Sequence, residues 1–100
     1  MTDTVIIKRI VSSTSTVFNF RGSDLRGRCR RKSIALARQV CMYLIRQETD
    51  CALVAVGKEL GGRTPATISF GYQRIARSIR VDAQLRSRVE SIKQLVYKEN

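Results

Sequence analysis

The stretch Leu53-Val54-Ala55-Val56-Gly57-Lys58-Glu59-Leu60-Gly61-Gly62-Arg63-Thr64-Pro65-Ala66-Thr67-Ile68 decides how this chain is read. Leu53, Val56 and Leu60 recur at steps of three and four, the period of one helix face. Gly61-Gly62 ends that helix, because glycine takes positive φ at little cost. Thr64 then reads as an N-cap and Pro65 as the first helical residue, where its missing N–H does no harm. Ile68, Tyr72, Ile75 and Ile79 carry the apolar face on to about Arg80. Two helices joined by a tight glycine corner, within residues 50–80, are the layout of helix-turn-helix DNA readers.

Helical patterning extends in both directions. Upstream, Ile34, Ala37, Cys41, Leu44 and Ile45 share one face, with Met42 and Tyr43 beside it, so a helix is expected from Ser33 to about Glu48. Thr49-Asp50 then read as the cap of the helix running Ala52 to Leu60. Downstream, Leu85, Val89, Ile92 and Val96 predict a last helix over about 82–98. Near the N-terminus, Ile6/Ile10 and Ile7/Val11 lie four apart, which predicts a helix over about 3–15 within a variable segment, 1–20. The β-branched content and the hydroxyl run Ser12 to Thr16 make a strand the competing reading there. Gly22-Ser23-Asp24 reads as a turn and N-cap, with Leu25 opening one short helical turn, and Arg26-Gly27-Arg28-Cys29-Arg30-Arg31-Lys32 as a basic loop. The expected fold is all-α: a small bundle of five or six helices forming a single domain over 1–100.

One hundred residues leave no room for a second domain, yet bury enough apolar surface to fold unaided. Nineteen Lys/Arg against eight Asp/Glu give a net charge of +11, which calls for a polyanionic partner: nucleic acid first, anionic membrane second. Without histidine, imidazole catalysis and mixed Cys/His zinc sites are excluded. Cys29, Cys41 and Cys51 form no C-x-x-C and read as reduced thiols of a cytosolic protein, Cys41 and Cys51 as small core hydrophobes. No apolar run approaches the ~20 residues of a membrane span, and residues 1–20 lack a signal-peptide pattern. Isolated Ser, Thr and Cys residues have no base beside them in any recognisable motif, so no enzyme, cofactor or metal is expected.

The charge is unevenly spread. Between Asp24 and Glu48 no residue is acidic, while Arg26, Arg28, Arg30, Arg31, Lys32, Arg38 and Arg46 are basic. The same holds between Glu59 and Asp82, with Arg63, Arg74, Arg77 and Arg80. Solvated helix faces usually interleave both signs, as residues 82–99 do. Two acid-free stretches flanking a helix-turn-helix layout make a field suited to phosphates, and Arg28, Lys32 and Arg74 are candidate contacts within it. Fourteen arginines against five lysines favour planar bidentate contacts to phosphate or guanine. Arg30 could enter a minor groove from the loop, while Thr64 to Thr67 would face a major groove.

Arg38-Gln39-Val40-Cys41-Met42-Tyr43-Leu44, then Val56-Gly57, then Leu60-Gly61-Gly62-Arg63-Thr64-Pro65-Ala66-Thr67-Ile68 resemble, in order and separation, the C-terminal DNA-binding domain of the bacterial replication initiator DnaA. The likeness covers about residues 20–80 well and both ends loosely. It implies an all-helical domain whose basic loop and helix-turn-helix bind the DnaA box in double-stranded DNA. It further implies that Arg30 is the minor-groove arginine, that Arg38, Gln39 and Arg46 hold phosphates, and that Arg63 follows the double glycine. The family then reads bases with an Asp-His-Thr-Thr run. Here the run is Thr64-Pro65-Ala66-Thr67, so only Thr67 is kept. Proline and alanine offer a base edge only apolar contact, for example to a thymine methyl. Losing two or three base contacts at ~1–3 kcal/mol each removes much discrimination against wrong sequence, so altered or relaxed specificity is expected.

No G-x-x-x-x-G-K-[ST] loop is present to cradle ATP phosphates. With Met1 at its start, the chain reads as a stand-alone domain, a cytoplasmic, nucleoid-associated regulator of replication initiation or transcription. A competing reading is a protein-interaction module that mimics the initiator's C-terminal domain to bind the initiator or its regulators. Membrane binding is disfavoured, because no helix pairs a cationic face with large aromatic anchors.

Overall fold

In the computed structural model, which describes residues 2–98, the hydroxyl-rich N-terminal segment is a helix and not a strand. α1 spans Asp3–Phe18, beyond the expected end near residue 15. Ser15 Oγ donates to the Val11 carbonyl at 2.7 Å and Thr16 Oγ1 to that of Ser12 at 3.1 Å, so these hydroxyls bond back within the helix. Burial of Ile6, Ile7, Ile10 and Val11 along one stripe outweighs their weak propensity. Asn19, in the left-handed region at φ 60°, ends the helix. Met1, Glu99 and Asn100 lie outside the described residues.

α2 is a single helical turn, Gly22–Arg26, which opens three residues before the expected start at Leu25, and its N-cap is Arg21 and not Ser23 or Asp24. Asp24 acts from inside the turn, its carboxylate accepting the Arg21 N–H at 2.9 Å. α3, Lys32–Glu48, takes in the last residue of the expected loop. α4 is Leu53–Glu59, and its N-cap is Ala52, without a side-chain bond. The expected cap at Thr49-Asp50 fails because Thr49 closes α3: its hydroxyl donates to the Ile45 carbonyl at 2.7 Å and accepts the Cys51 N–H at 3.3 Å. α5 spans Pro65–Val81 and α6 Ala83–Val96, with Asp82 capping the latter. All six elements are helical, and no strand occurs among the described residues.

α3 runs through the middle of the bundle, with α1 on one side and α5 on the other. Ala37, Val40, Cys41, Leu44 and Ile45 are wholly buried along it, and Val40, Leu44 and Ile45 each contribute about 1.5–3 kcal/mol on burial. α6 closes the bundle against α1 and α5, while α4 packs on α5 to form the helix-turn-helix pair. At the α3–α5 crossing Gly71 lies against Met42 and Gln39, where a Cβ would collide with the Met42 sulfur. The cysteines are all free. Burial pushes the Cys41 thiol up to about 12, which leaves it an inert core group. Cys51 is only half-buried, its sulfur 3.9 Å from the Asp3 carboxylate, and Cys29 is exposed.

Candidate nucleic-acid interface

The corner between α4 and α5 is built on backbone. The Gly57 carbonyl accepts N–H groups from Leu60 at 3.2 Å, Gly62 at 2.9 Å and Arg63 at 3.0 Å. So close a return leaves no space for a Cβ at Gly57, which would collide with the Arg63 carbonyl. Gly61 combines φ 81° with a close approach to the Arg26 carbonyl, and so brings the end of α2 against the turn. Thr64 caps α5 by accepting the Thr67 N–H at 3.2 Å, and Pro65 occupies the first helical position. Ile68 and Ile75 face the core, which turns Thr64, Pro65, Ala66, Thr67, Phe70 and Arg74 to solvent.

Two arginines tie the basic loop to this corner. Arg38, only 7% exposed, donates through Nε to the Leu25 carbonyl at 2.7 Å. Its Nη2 reaches the carbonyls of Asp24 at 3.1 Å, Gly27 at 3.1 Å and Cys29 at 3.3 Å. Arg63, half-buried, donates to the carbonyls of Leu60, Gly27 and Arg26. The Gly27 carbonyl is therefore gripped from α3 and from the turn at once. Burial lowers the pKa of both guanidinium groups, and for Arg63 the nearby charges of Arg38 and Arg28 lower it further. That crowding of like charge is relieved by an anion.

The result is a shallow pocket of about 290 Å³ lined by Arg28, Arg30, Gly61, Gly62 and Arg63, in which loop and turn share one surface. Beside it α3 begins on Arg31 and Lys32 with no side-chain cap and no acidic residue in its first turn. Cations at the positive end of a helix are unfavourable in isolation, whereas an anion there is stabilised by free N–H groups and the dipole. Cys29 shares this field: hydrogen bonds from the Arg31 backbone and side chain hold its thiol below the usual range.

Of the residues singled out from the sequence, Arg28, Arg30, Lys32, Thr64, Pro65, Ala66, Thr67 and Arg74 are exposed, and Arg63 half so. Arg38 points inward, so any effect it has on a phosphate passes through the loop it holds. Gln39 is half-buried against Gly71, and its Oε1 has no hydrogen-bond partner among the described residues. Arg46 is exposed, its guanidinium 5.7 Å over the Tyr72 ring, which stacks on Tyr43 at 5.3 Å. Gln47 bridges both tyrosine hydroxyls at 3.3 Å, so Arg46 rests on an ordered aromatic shelf. The sequence reading missed Phe70, which is 58% exposed on the outward side of α5. Its signal was available, since Phe70 falls outside the Ile68, Tyr72, Ile75, Ile79 stripe.

Comparison with known proteins adds an independent line. Residues 7–75 match the model of the family described as bacterial dnaA protein helix-turn-helix. The chain is similar to the chromosomal replication initiator protein DnaA of Herpetosiphon aurantiacus, 46% identical over 76 residues, covering 76% of this chain and 16% of that protein. Against the protein of the same name from Levilactobacillus brevis it is 35% identical over 91 residues, 91% of this chain and 20% of the other. Against that of Chloroflexus aggregans it is 38% identical over 87 residues, 87% and 18%. The chain thus spans a fifth or less of the length of these relatives.

Proposed function

The chain belongs to the bacterial DnaA helix-turn-helix family, and on that premise we propose that it binds double-stranded DNA through the face shared by the basic loop and the start of α5. The observation that carries this reading is the pocket where Arg28 and Arg30 of the loop meet Gly61, Gly62 and Arg63 of the turn. In this reading the exposed end of α5, Thr64 to Thr67, enters the major groove, and Arg30 reaches the neighbouring minor groove. Arg28, Lys32, Arg46 and Arg74 take phosphates, with the uncapped start of α3 as a further anion site. Arg38 and Arg63 hold the loop and turn in register, and Gln39 supports α5 from beneath.

Pro65 and Ala66 present no donor or acceptor to a base edge, which supports altered or relaxed sequence preference. As its relatives are named chromosomal replication initiators, the biological setting is replication initiation. The part assigned to the chain there is regulatory: a domain whose base-reading residues differ redistributes itself over sites differently from the initiators.

The test is a salt titration of duplex affinity followed by selection from a random duplex pool at physiological salt. Log affinity should fall against log salt with a slope of about −4 to −6, from roughly five to seven neutralised phosphates. A flat response, with no duplex recovered from the pool, would falsify DNA binding and favour the protein-interaction reading. Convergence on one motif marks a sequence reader; uniform recovery marks a phosphate binder.

A further inference from the structure

We propose that Phe70 is a specificity-determining residue, its ring continuing from Ala66 an apolar ridge that reads thymine 5-methyl groups in the major groove. This rests on the DNA-binding reading above. Phe70 is 58% exposed, whereas Phe18, Phe20, Tyr43 and Tyr72 are half-buried, and the other exposed aromatic, Tyr97, is anchored to the Glu48 carboxylate at 2.7 Å. An exposed phenylalanine forfeits the free energy of burial, so a surface that covers it gains that energy back.

Its position says what covers it. Phe70 stands one helical turn beyond Ala66, about 6 Å along the axis, and one turn before Arg74. All three are exposed. Arg63 lies behind the start of the helix, and no acidic residue occurs from Leu60 to Val81. An apolar ring framed by cations and free of nearby carboxylates suits a surface that is anionic at its edges and apolar at its floor. A duplex major groove has that character, with phosphates along the rims and thymine methyls as its apolar marks. Pro65, Ala66 and Phe70 carry no side-chain hydrogen-bonding group, so contact with methyls is the discrimination these three side chains can supply.

The experiment uses the full chain and a duplex recovered by selection from a random pool. Each thymidine of the bound site is replaced singly by deoxyuridine, which removes only the methyl group. At least one replacement should weaken binding about three- to tenfold. In Phe70→Ala the same replacement should cost less than about twofold, with the salt slope unchanged, while Phe70→Leu should keep part of the penalty. Thermal unfolding of both variants checks that the fold is retained, as expected for an exposed side chain. Deoxyuridine tolerated at every position by the native chain, or an undiminished penalty in Phe70→Ala, overturns the inference and leaves DNA binding standing. Failure of the native chain to bind any duplex overturns both.

Discussion

α6 and α3 begin in opposite ways. α6 starts on Asp82, whose carboxylate accepts the Leu85 N–H at 3.0 Å and complements the positive end of the helix dipole. α3 starts on Arg31 and Lys32, with no cap and no acid in its first turn. Where a helix merely packs, as α6 packs on α1 and α5, the chain uses the locally stable ending. Where the helix opens onto the basic loop, that ending is absent. The positive potential of the α3 start thus meets neither a cap nor an acid in its own first turn, and departures of this kind from local rules concentrate at functional sites.

The contrast exists only while the loop stays folded against the turn, so the largest effects come from the residues that tie it there. Gly61→Ala forces a Cβ into the left-handed region and against the Arg26 carbonyl. It should cost about 2–4 kcal/mol in urea unfolding and abolish duplex binding. An unchanged urea midpoint would mean that loop and turn do not meet so closely. Arg38→Ala comes next. It strips the donor from the carbonyls of Asp24, Leu25, Gly27 and Cys29, at about 2–3 kcal/mol. Duplex affinity should fall for every sequence alike, because the damage is to the loop and not to a base contact. Arg38→Lys should restore little, since one ammonium cannot span the carbonyls that a planar fork reaches.

The corner was readable in advance because its signals are local: paired glycines, then Thr64-Pro65, dictate the end of one helix and the start of the next. The cap of α4 was not, because the Thr49 hydroxyl is engaged by the preceding helix, a choice that depends on how α3 ends. For α1, tertiary burial of its isoleucines overrode the weak helical propensity of the serines and threonines. Composition announced the charge of Arg38 but not its direction. Phase did carry that information: Ile34, Arg38, Cys41 and Ile45 lie at helical steps of three and four on one buried stripe. The convergence of loop and turn on the Gly27 carbonyl had no sequence signature, since a backbone acceptor is the same at every residue.

Arg30→Ala separates affinity from stability. Its side chain lines the shared pocket and is exposed, so unfolding should shift by less than about 0.5 kcal/mol. Duplex affinity should drop about tenfold, and the salt slope should lose about one unit. A large loss of stability would place Arg30 with Arg38 among the residues that hold the loop.

The smallest change sharpens the contrast most. Arg31→Asp gives α3 the kind of start that α6 already has: an acceptor at the N-cap and a negative charge facing the dipole. The variant should be more stable than the native chain by about 0.5–1 kcal/mol, seen as a higher urea midpoint. It should also bind duplex more weakly, because a carboxylate now stands where a phosphate would sit. The two shifts have opposite signs, and that opposition is what general damage cannot imitate. A variant that loses both stability and affinity would mean that the Arg31 side chain itself helps to hold the loop. The uncapped start of α3 would then be a by-product of loop packing and not a place kept for an anion.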